Sequence, residues 1–161
     1  MVGGLLLIGV TFFAFLLVSL RTKFPPLLKV IRRVNRVVWN PRAMRSAGRP
    51  GAYASVIRHA GRTTGKPYQT PVGAISTDDG FVIGLPYGAS PDWLKNLLAA
   101  GSAVIVHEGS AFRVEAPELM PATMIDHHFS RTDQRMHRLF GVRHFLFVHR
   151  VGAPTTVGDH P

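Results

Sequence analysis

The chain of 161 residues contains no cysteine. Disulfides, cysteine-ligated metal sites and a cysteine nucleophile are therefore excluded. Acidic residues are scarce, because nine Asp and Glu stand against nineteen Lys and Arg. Residues 21–50 hold nine of the basic residues and no acid, whereas residues 51–161 hold the other ten and all nine acids. A nucleic-acid binder carries its positive patch on the domain that reads the ligand. Since the body here is nearly neutral, we predict no nucleic-acid partner.

Several catalytic motifs are also missing. GxGxxG, GxSxG and HExxH do not occur, which removes the sequence support for Rossmann dinucleotide binding, an α/β-hydrolase and a zinc peptidase. The stretch from Gly61 to Lys66 is not a Walker A loop, because only three residues separate Gly61 from Gly65, where that motif has four, and a proline follows Lys66. Adjacent His127 and His128 would point about 100° apart on a helix and rarely share one ion. We therefore predict no metal site.

The first twenty residues form the longest apolar run. Residues Gly3 to Leu20 carry no charge, and eighteen helical residues span about 27 Å, the thickness of a hydrocarbon core. A cleaved signal peptide would need a basic start and a small-residue cleavage site, and neither is present. The pattern predicts an N-terminal transmembrane helix over residues 1–22. The basic residues that follow place the body on the cytoplasmic side of the cell membrane.

Residues 23–50 are predicted to form a basic juxtamembrane segment with a helix over about residues 27–46. Apolar residues recur at helical spacing on one side, and the cations fall on the other. Such a helix is suited to lie on membrane lipid. The alternative is that its apolar stripe packs against the body, and the sequence leaves both open. The stripe contains Leu27, Ile31, Val34 and Val38, and the cations are Lys29, Arg32, Arg33 and Arg36.

The body, residues 51–153, alternates short strand patterns with turn signals, and residues 154–161 are predicted to be a flexible tail. A Rossmann sheet needs repeated strand–helix–strand units, and only one such unit is visible in this pattern, so that fold is not favoured. The pattern predicts a mainly β domain with helices, built as a small antiparallel barrel. Strands are predicted over 53–59, 69–76, 81–85, 103–107, 112–119 and 145–151, and helices over 91–100 and 121–139.

One turn in the body has the composition of an anion site. Gly61-Arg62-Thr63-Thr64-Gly65-Lys66 combines two cations, two hydroxyls and two glycines. Glycine allows positive φ and close approach of a ligand, and exposed N–H groups beside cations can bind a phosphate or carboxylate. The alternative is a solvated basic hairpin turn.

The order and spacing of several segments resemble the deazaflavin-dependent nitroreductase family. The match runs from Ile57 to about Pro117, and the C-terminal segments Leu139 to Val142 and Phe145-Leu146 also fit. The resemblance implies a split β-barrel of the FMN-binding type and the cofactor coenzyme F-420. The matching segments are Gly61 to Gly65, Thr70-Pro71-Val72, Asp79 to Ile83, Leu85-Pro86-Tyr87-Gly88, Asp92 to Leu97 and Ala99-Ala100-Gly101.

The resemblance also implies site residues. The turn would hold the phosphate and acidic tail of the cofactor, two strand segments would flank the deazaflavin ring, and two residues on one helix face would close the site. A proton donor is not obligatory; Tyr87 and then His144 are the candidates. The implied cofactor-binding residues are Arg62, Thr63, Thr64, Gly65, Lys66, Pro71, Val72, Leu85, Pro86, Tyr87, Gly88, Trp93 and Asn96.

The function expected from this resemblance is hydride transfer from reduced F-420 to a hydrophobic small-molecule acceptor. Tyr68 stands where many relatives carry arginine, and the C-terminal region offers Phe140, Phe145 and Phe147 where some relatives have tyrosines. These departures favour a hydrophobic acceptor such as a quinone over a nitro compound. The alternatives are an FMN-dependent oxidoreductase of the same fold, or a non-enzymatic, membrane-tethered cofactor-binding protein. The ligand would lie in a surface groove or at a subunit contact, which leaves a homodimer open.

Overall fold

The computed structural model describes residue 18 and residues 25–86, 88–125, 129 and 131–156. The predicted anchor, residues 1–22, lies outside the described residues except for Val18, and so do the candidate donor Tyr87 and the pair His127 and His128. Among the described residues, no helix has the length and apolar character needed to cross a membrane. Within the same residues, no group of three or more His, Asp or Glu side chains could hold a metal ion.

The basic segment is helical but not as one regular helix. It consists of α1 (Pro25–Val34), a π-helix (Asn35–Trp39) and α2 (Asn40–Ala43). The N–H of Asn40 donates to the carbonyl of Asn35, five residues back. Pro41 follows, has no N–H and crowds the carbonyl four residues before it. A wider π-turn ahead of this proline accommodates the crowding. The spacing of the apolar residues does not predict this turn.

In its described residues the body is a seven-stranded sheet with three helices. Neighbouring strands are antiparallel throughout, in the order β2-β1-β5-β6-β7-β4-β3. The strands are β1 (Ser55–Ala60), β2 (Pro67–Val72), β3 (Ala74–Ser76), β4 (Gly80–Gly84), β5 (Ser102–His107), β6 (Ser110–Pro121) and β7 (His144–Thr156), and the helices are α3 (Asp92–Ala100), α4 (Ala122–Ile125) and α5 (Arg131–Phe140).

The two edges of this sheet meet. β2 and β3 are the two edge strands, yet only Gly73 separates them in the chain. Since consecutive Cα atoms are about 3.8 Å apart, Val72 and Ala74 lie within about 8 Å of each other. The sheet must therefore curl until its edges are adjacent. The predicted mainly β class with helices is confirmed, and the half-barrel sheet fits the split-barrel fold.

The core fills the inside of the curled sheet. Inward side chains of the strands pack there with Leu94 and Leu97 of α3, which are three residues apart on one helix face. Gly101 ends α3 in the left-handed conformation, φ +71°, which glycine adopts without strain. α3 is thereby fixed against one side of the barrel. The fully buried strand residues include Ile57, Phe81, Ile105, Val114, Leu146 and Val148.

Three of the predicted elements differ most from the structure. The predicted strand 69–76 is divided at Gly73 into β2 and β3, and the predicted helix 121–139 is two helices with Phe129 between them. β7 continues to Thr156, where it pairs with Ser110, so the predicted tail from residue 154 begins inside a strand. The last residues of β7 are exposed. Because their side chains bury no apolar face, the hydropathy pattern does not predict that these residues belong to a strand.

Candidate functional site

The basic turn is a closed loop between β1 and β2. The N–H of Gly61 donates to the carbonyl of Lys66 at 2.8 Å, and the N–H of Gly65 donates to the carbonyl of Gly61 at 2.7 Å. Gly65 has φ +67°, a conformation that favours glycine. The N–H of Lys66 points to Thr64 Oγ1 at 3.4 Å. Because these backbone donors bond within the loop, the attraction for an anion comes mainly from the side chains of Arg62 and Lys66.

Arg62 connects this loop to α3. Its Nη1 donates to Asn96 Oδ1 at 2.9 Å, and its backbone N–H donates to the same oxygen at 3.2 Å. Its Nη2 forms an ion pair with Asp92 Oδ1 at 3.3 Å. A guanidinium carries five N–H donors, and contacts within the described part of the chain use two of them. The remaining donors of a partly exposed guanidinium are suited to bind an anionic ligand.

A buried polar chain lies behind Arg62. Asn96 is 6% exposed, and its Nδ2 lies 3.2 Å from Nδ1 of His59, which is 7% exposed. The other ring nitrogen of His59 lies 3.3 Å from Thr70 Oγ1. Tyr68, paired with His59 across β1 and β2, stacks on its ring with centroids 5.7 Å apart. Burial lowers the pKa of His59 below its ordinary value of 6.5, while a hydrogen bond that the ring donates to the Ala60 backbone opposes this.

Sequence reasoning missed the role of His59, Thr70 and Tyr68. A signal was present, because a histidine stands at an inward position of an alternating apolar strand. A polar group at such a position needs a hydrogen-bond partner. The partner Asn96 could not be found by pattern, because it is 37 residues away on a helix.

An apolar cavity of about 160 Å³ lies where the edges of the barrel meet. Three segments line it: the end of β2 with Gly73, the end of β4 with the loop after it, and the start of α3. The structure thus brings six of the residues implied by the family resemblance around one space. The lining residues are Pro71, Val72, Gly73, Ile83, Gly84, Leu85, Pro86, Gly88, Pro91 and Trp93.

α3 joins the cavity to the cationic turn. Pro91 and Trp93 line the cavity, whereas Asp92 and Asn96 hold Arg62. The cationic turn precedes β2 and the cavity lies at the end of β2, while Asp92, which contacts Arg62, stands between the cavity residues Pro91 and Trp93. The arrangement offers an apolar recess and a cationic group at the two ends of one strand.

The other implied residues fall in two places. Thr63, Thr64, Gly65 and Lys66 are exposed in the turn. The His144 side chain is exposed at the start of β7, and its carbonyl accepts the N–H of Leu85 at 3.2 Å, so its backbone adjoins the cavity wall.

Trp93 is half-buried and also packs against the core, so its contact with the cavity is compatible with a purely structural role.

No protein-family model and no curated protein sequence matches this chain. The solved structures to which it is similar include an F420 reductase, with a TM-score of 0.45, 10% identity, and coverage of 67% of this chain and 91% of the other. An FMN-binding protein from Syntrophomonas wolfei subsp. wolfei has a TM-score of 0.45, 16% identity and coverage of 81% and 98%. HutZ, the heme storage protein from Vibrio cholerae, has a TM-score of 0.46, 8% identity and coverage of 65% and 85%. Similarity at this level concerns the fold and assigns no chemistry.

Proposed function

We propose that this chain is a split-barrel oxidoreductase that binds a deazaflavin or flavin cofactor, with coenzyme F-420 as the favoured cofactor. The observation that carries the proposal is the pairing of an apolar cavity with the cations Arg62 and Lys66 at the opposite end of β2. A flavin-type cofactor has the same two-part character, because a planar apolar ring is joined to an anionic tail. When bound, such a cofactor supplies hydride transfer.

The cavity would receive one part of the ring. Its volume of about 160 Å³ is below the range of about 300–1,000 Å³ that is usual for a complete small-molecule site. Pro71, Val72, Leu85 and Trp93 would cover one side of the ring and exclude water there. The other side would stay open to the electron acceptor or, in a homodimer, to a second copy of the chain. An apolar wall favours a hydrophobic acceptor, such as a quinone or a nitro compound.

The two cations of the turn favour the cofactor with the more acidic tail. FMN ends in one phosphate on a ribityl chain, whereas F-420 continues beyond its phosphate into an acidic glutamyl tail. Arg62 and Lys66, both exposed, suit the tail that carries more negative charge. Arg62 would bind the tail through guanidinium donors that its contacts to α3 leave available, with Lys66 as a second cation. His144, beside Leu85, and Tyr87 remain the candidates to hold a proton near the acceptor.

The test is a direct titration of the detergent-solubilised full chain with F-420, with FMN as competitor. We expect micromolar F-420 affinity that falls at least about tenfold when Arg62 and Lys66 are both replaced by alanine, the loss of at least one charged hydrogen bond. Arg113→Ala, an exposed cation on β6, is the matched control and should bind as the wild type.

Each other result has a defined meaning. Binding of FMN alone would support the proposed site but identify FMN as its cofactor. Binding of neither compound would reject the proposal. F-420 binding without turnover of any quinone or nitro acceptor would favour a non-enzymatic cofactor-binding protein.

We further propose that the protein acts at a membrane surface, on the cytoplasmic side. On α1 and the π-helix the apolar side chains of Val30, Val34 and Val37 are exposed, and Trp39 beside them is 60% exposed. Exposed Lys29 adds positive charge nearby. Apolar side chains next to cations fit an anionic lipid surface, where each cation contributes about 1 kcal/mol.

A further inference from the structure

Arg62, Asn96, His59 and Thr70 form a continuous hydrogen-bonded chain from the basic turn into the barrel. The links are 2.9 Å from Arg62 Nη1 to Asn96 Oδ1, 3.2 Å from Asn96 Nδ2 to His59 Nδ1, and 3.3 Å from His59 Nε2 to Thr70 Oγ1. The two middle members are buried, and Arg62 at the outer end is partly exposed. An exposed cation is thus connected to an imidazole that has little contact with water.

The chemistry of the groups fixes the direction of every link. Arginine only donates hydrogen bonds, so the amide of Asn96 must turn its oxygen towards Arg62 and its NH₂ towards His59. The NH₂ donates, so His59 Nδ1 must carry a lone pair. The proton of the neutral imidazole is then on Nε2, where it is donated to the Thr70 hydroxyl. One tautomer of one histidine is therefore compatible with this arrangement.

We propose that His59 is a positioning residue for the anion site: its neutral Nε2–H tautomer fixes the Asn96 amide, and the amide fixes the Arg62 guanidinium. The assignment of an anionic ligand to Arg62 rests on the proposed function, whereas the tautomer of His59 does not. His59 touches no ligand in this scheme. It acts through Asn96, as outer residues orient the inner ones at other binding sites.

Protonation of His59 would break the chain. A proton on Nδ1 would face the NH₂ of Asn96, and an amide turned to accept it would present its NH₂ to the donors of Arg62. The groups that face His59 are Tyr68 from β2, Asn96 with Asp92 beyond it from α3, and Arg62 from the turn. Burial opposes the cation, which agrees with the lowered pKa of His59.

Two substitutions separate positioning from packing. His59→Asn places an amide oxygen near the position of Nδ1 and can still accept from Asn96, but it does not titrate. His59→Phe keeps the ring volume and removes the acceptor. We expect His59→Phe to weaken F-420 binding by about tenfold, equivalent to one hydrogen bond to a charged group. We expect His59→Asn to bind within about twofold of the wild type, with an affinity that no longer falls with acidity.

The controls test folding and location. His107→Asn alters another histidine of the barrel, which bonds Ser55 at 2.8 Å outside the site, and should leave the affinity unchanged. Thermal unfolding of each variant reports whether a loss of binding is only a loss of the fold. Equal affinity of His59→Phe and the wild type would overturn the proposal, and so would equal weakening by both His59 variants in folded proteins.

A second readout needs no cofactor. Long-range ¹H–¹⁵N correlation spectra of the imidazole in the unliganded full chain distinguish the two tautomers and the cation. We expect the Nε2–H form at neutral pH, and a larger share of the Nδ1–H form in Asn96→Leu, where no amide donor faces Nδ1. A proton on Nδ1 in the wild type would reject the positioning role. If neither F-420 nor FMN binds the wild type, the proposed function fails, and the tautomer still decides whether His59 orients Asn96.

Discussion

Arg62 Nη2 and Asp92 Oδ1 lie 3.3 Å apart, with side chains 39% and 60% exposed. An exposed pair of this kind contributes about 0–1 kcal/mol to stability. Its larger consequence concerns binding, because the Asp92 carboxylate stands where an anionic tail would approach the guanidinium. The ion pair thus competes with the proposed ligand for the same cation.

Asp92→Asn should therefore tighten F-420 binding, by about twofold to fivefold at low salt and less at high salt, because the competing charge is removed. The helix loses a favourable charge in its first turn, so stability should fall by about 0.3–1 kcal/mol. Titrations at two salt concentrations measure the effect, with Glu115→Gln on β6 as control. Weaker binding would mean that Asp92 orients Arg62 and does not compete with the ligand.

The cavity can be blocked without disturbing the backbone. A Cβ at Gly73 would meet no atom within 4 Å, and the φ of Gly73 is outside the left-handed region. Gly73→Leu would extend a side chain from the cavity wall towards the ring. We expect binding to weaken by more than about tenfold, or about 1.4 kcal/mol, while the melting temperature stays near that of the wild type. Gly73→Ala should have a smaller effect, and equal affinity of all three proteins would place the ring elsewhere.

The sequence predicted the strands of the body well because most of them bury one face. Every predicted strand overlaps an observed one, but alternation continues across Gly73 and so concealed the break between β2 and β3. That break is what brings the two edges together and forms the cavity. The six cavity residues that were predicted came from the family resemblance and not from any pattern. The contact between His59 and Asn96 depends on how α3 packs on β1, which no local signal encodes.

Stability should depend on the charge of His59. Its folded pKa is lowered, so the neutral form is favoured in the folded protein, and an unfolded histidine has a pKa of about 6.5. As pH falls through about 6.5, the unfolded chain binds a proton first and the free energy of unfolding decreases until the folded pKa is reached. His59→Asn should lack this decrease. Urea unfolding at about pH 7.5 and about pH 5.5 tests it, and parallel pH dependence in both proteins would contradict it.

Arg150 supports the barrel away from the proposed site. Its guanidinium carbon lies 5.1 Å from the ring centre of Phe81 and 4.6 Å from that of Phe112, and its Nη2 donates to Ser76 Oγ at 2.8 Å. Arg150→Met should lower the free energy of unfolding by about 1–3 kcal/mol, because cation–π contacts and a charged hydrogen bond are lost. Cofactor affinity should not change. A large loss of affinity in a folded variant would extend the site to this end of the barrel.

The absence of cysteine allows the membrane proposal to be tested with one label at a time. Val34→Cys places an environment-sensitive fluorophore on the exposed apolar side of α1, and Tyr53→Cys places it on the body, where Tyr53 is 97% exposed. In vesicles that contain anionic lipid, the label at position 34 should shift to the blue and become protected from an aqueous quencher. The label at position 53 should stay accessible. Because each basic residue near an anionic surface contributes about 1 kcal/mol, neutral vesicles should give a smaller shift at position 34. Equal accessibility of both labels in anionic vesicles would show that α1 does not lie on lipid, and a partner protein or a second copy would then be the alternative for its exposed valines.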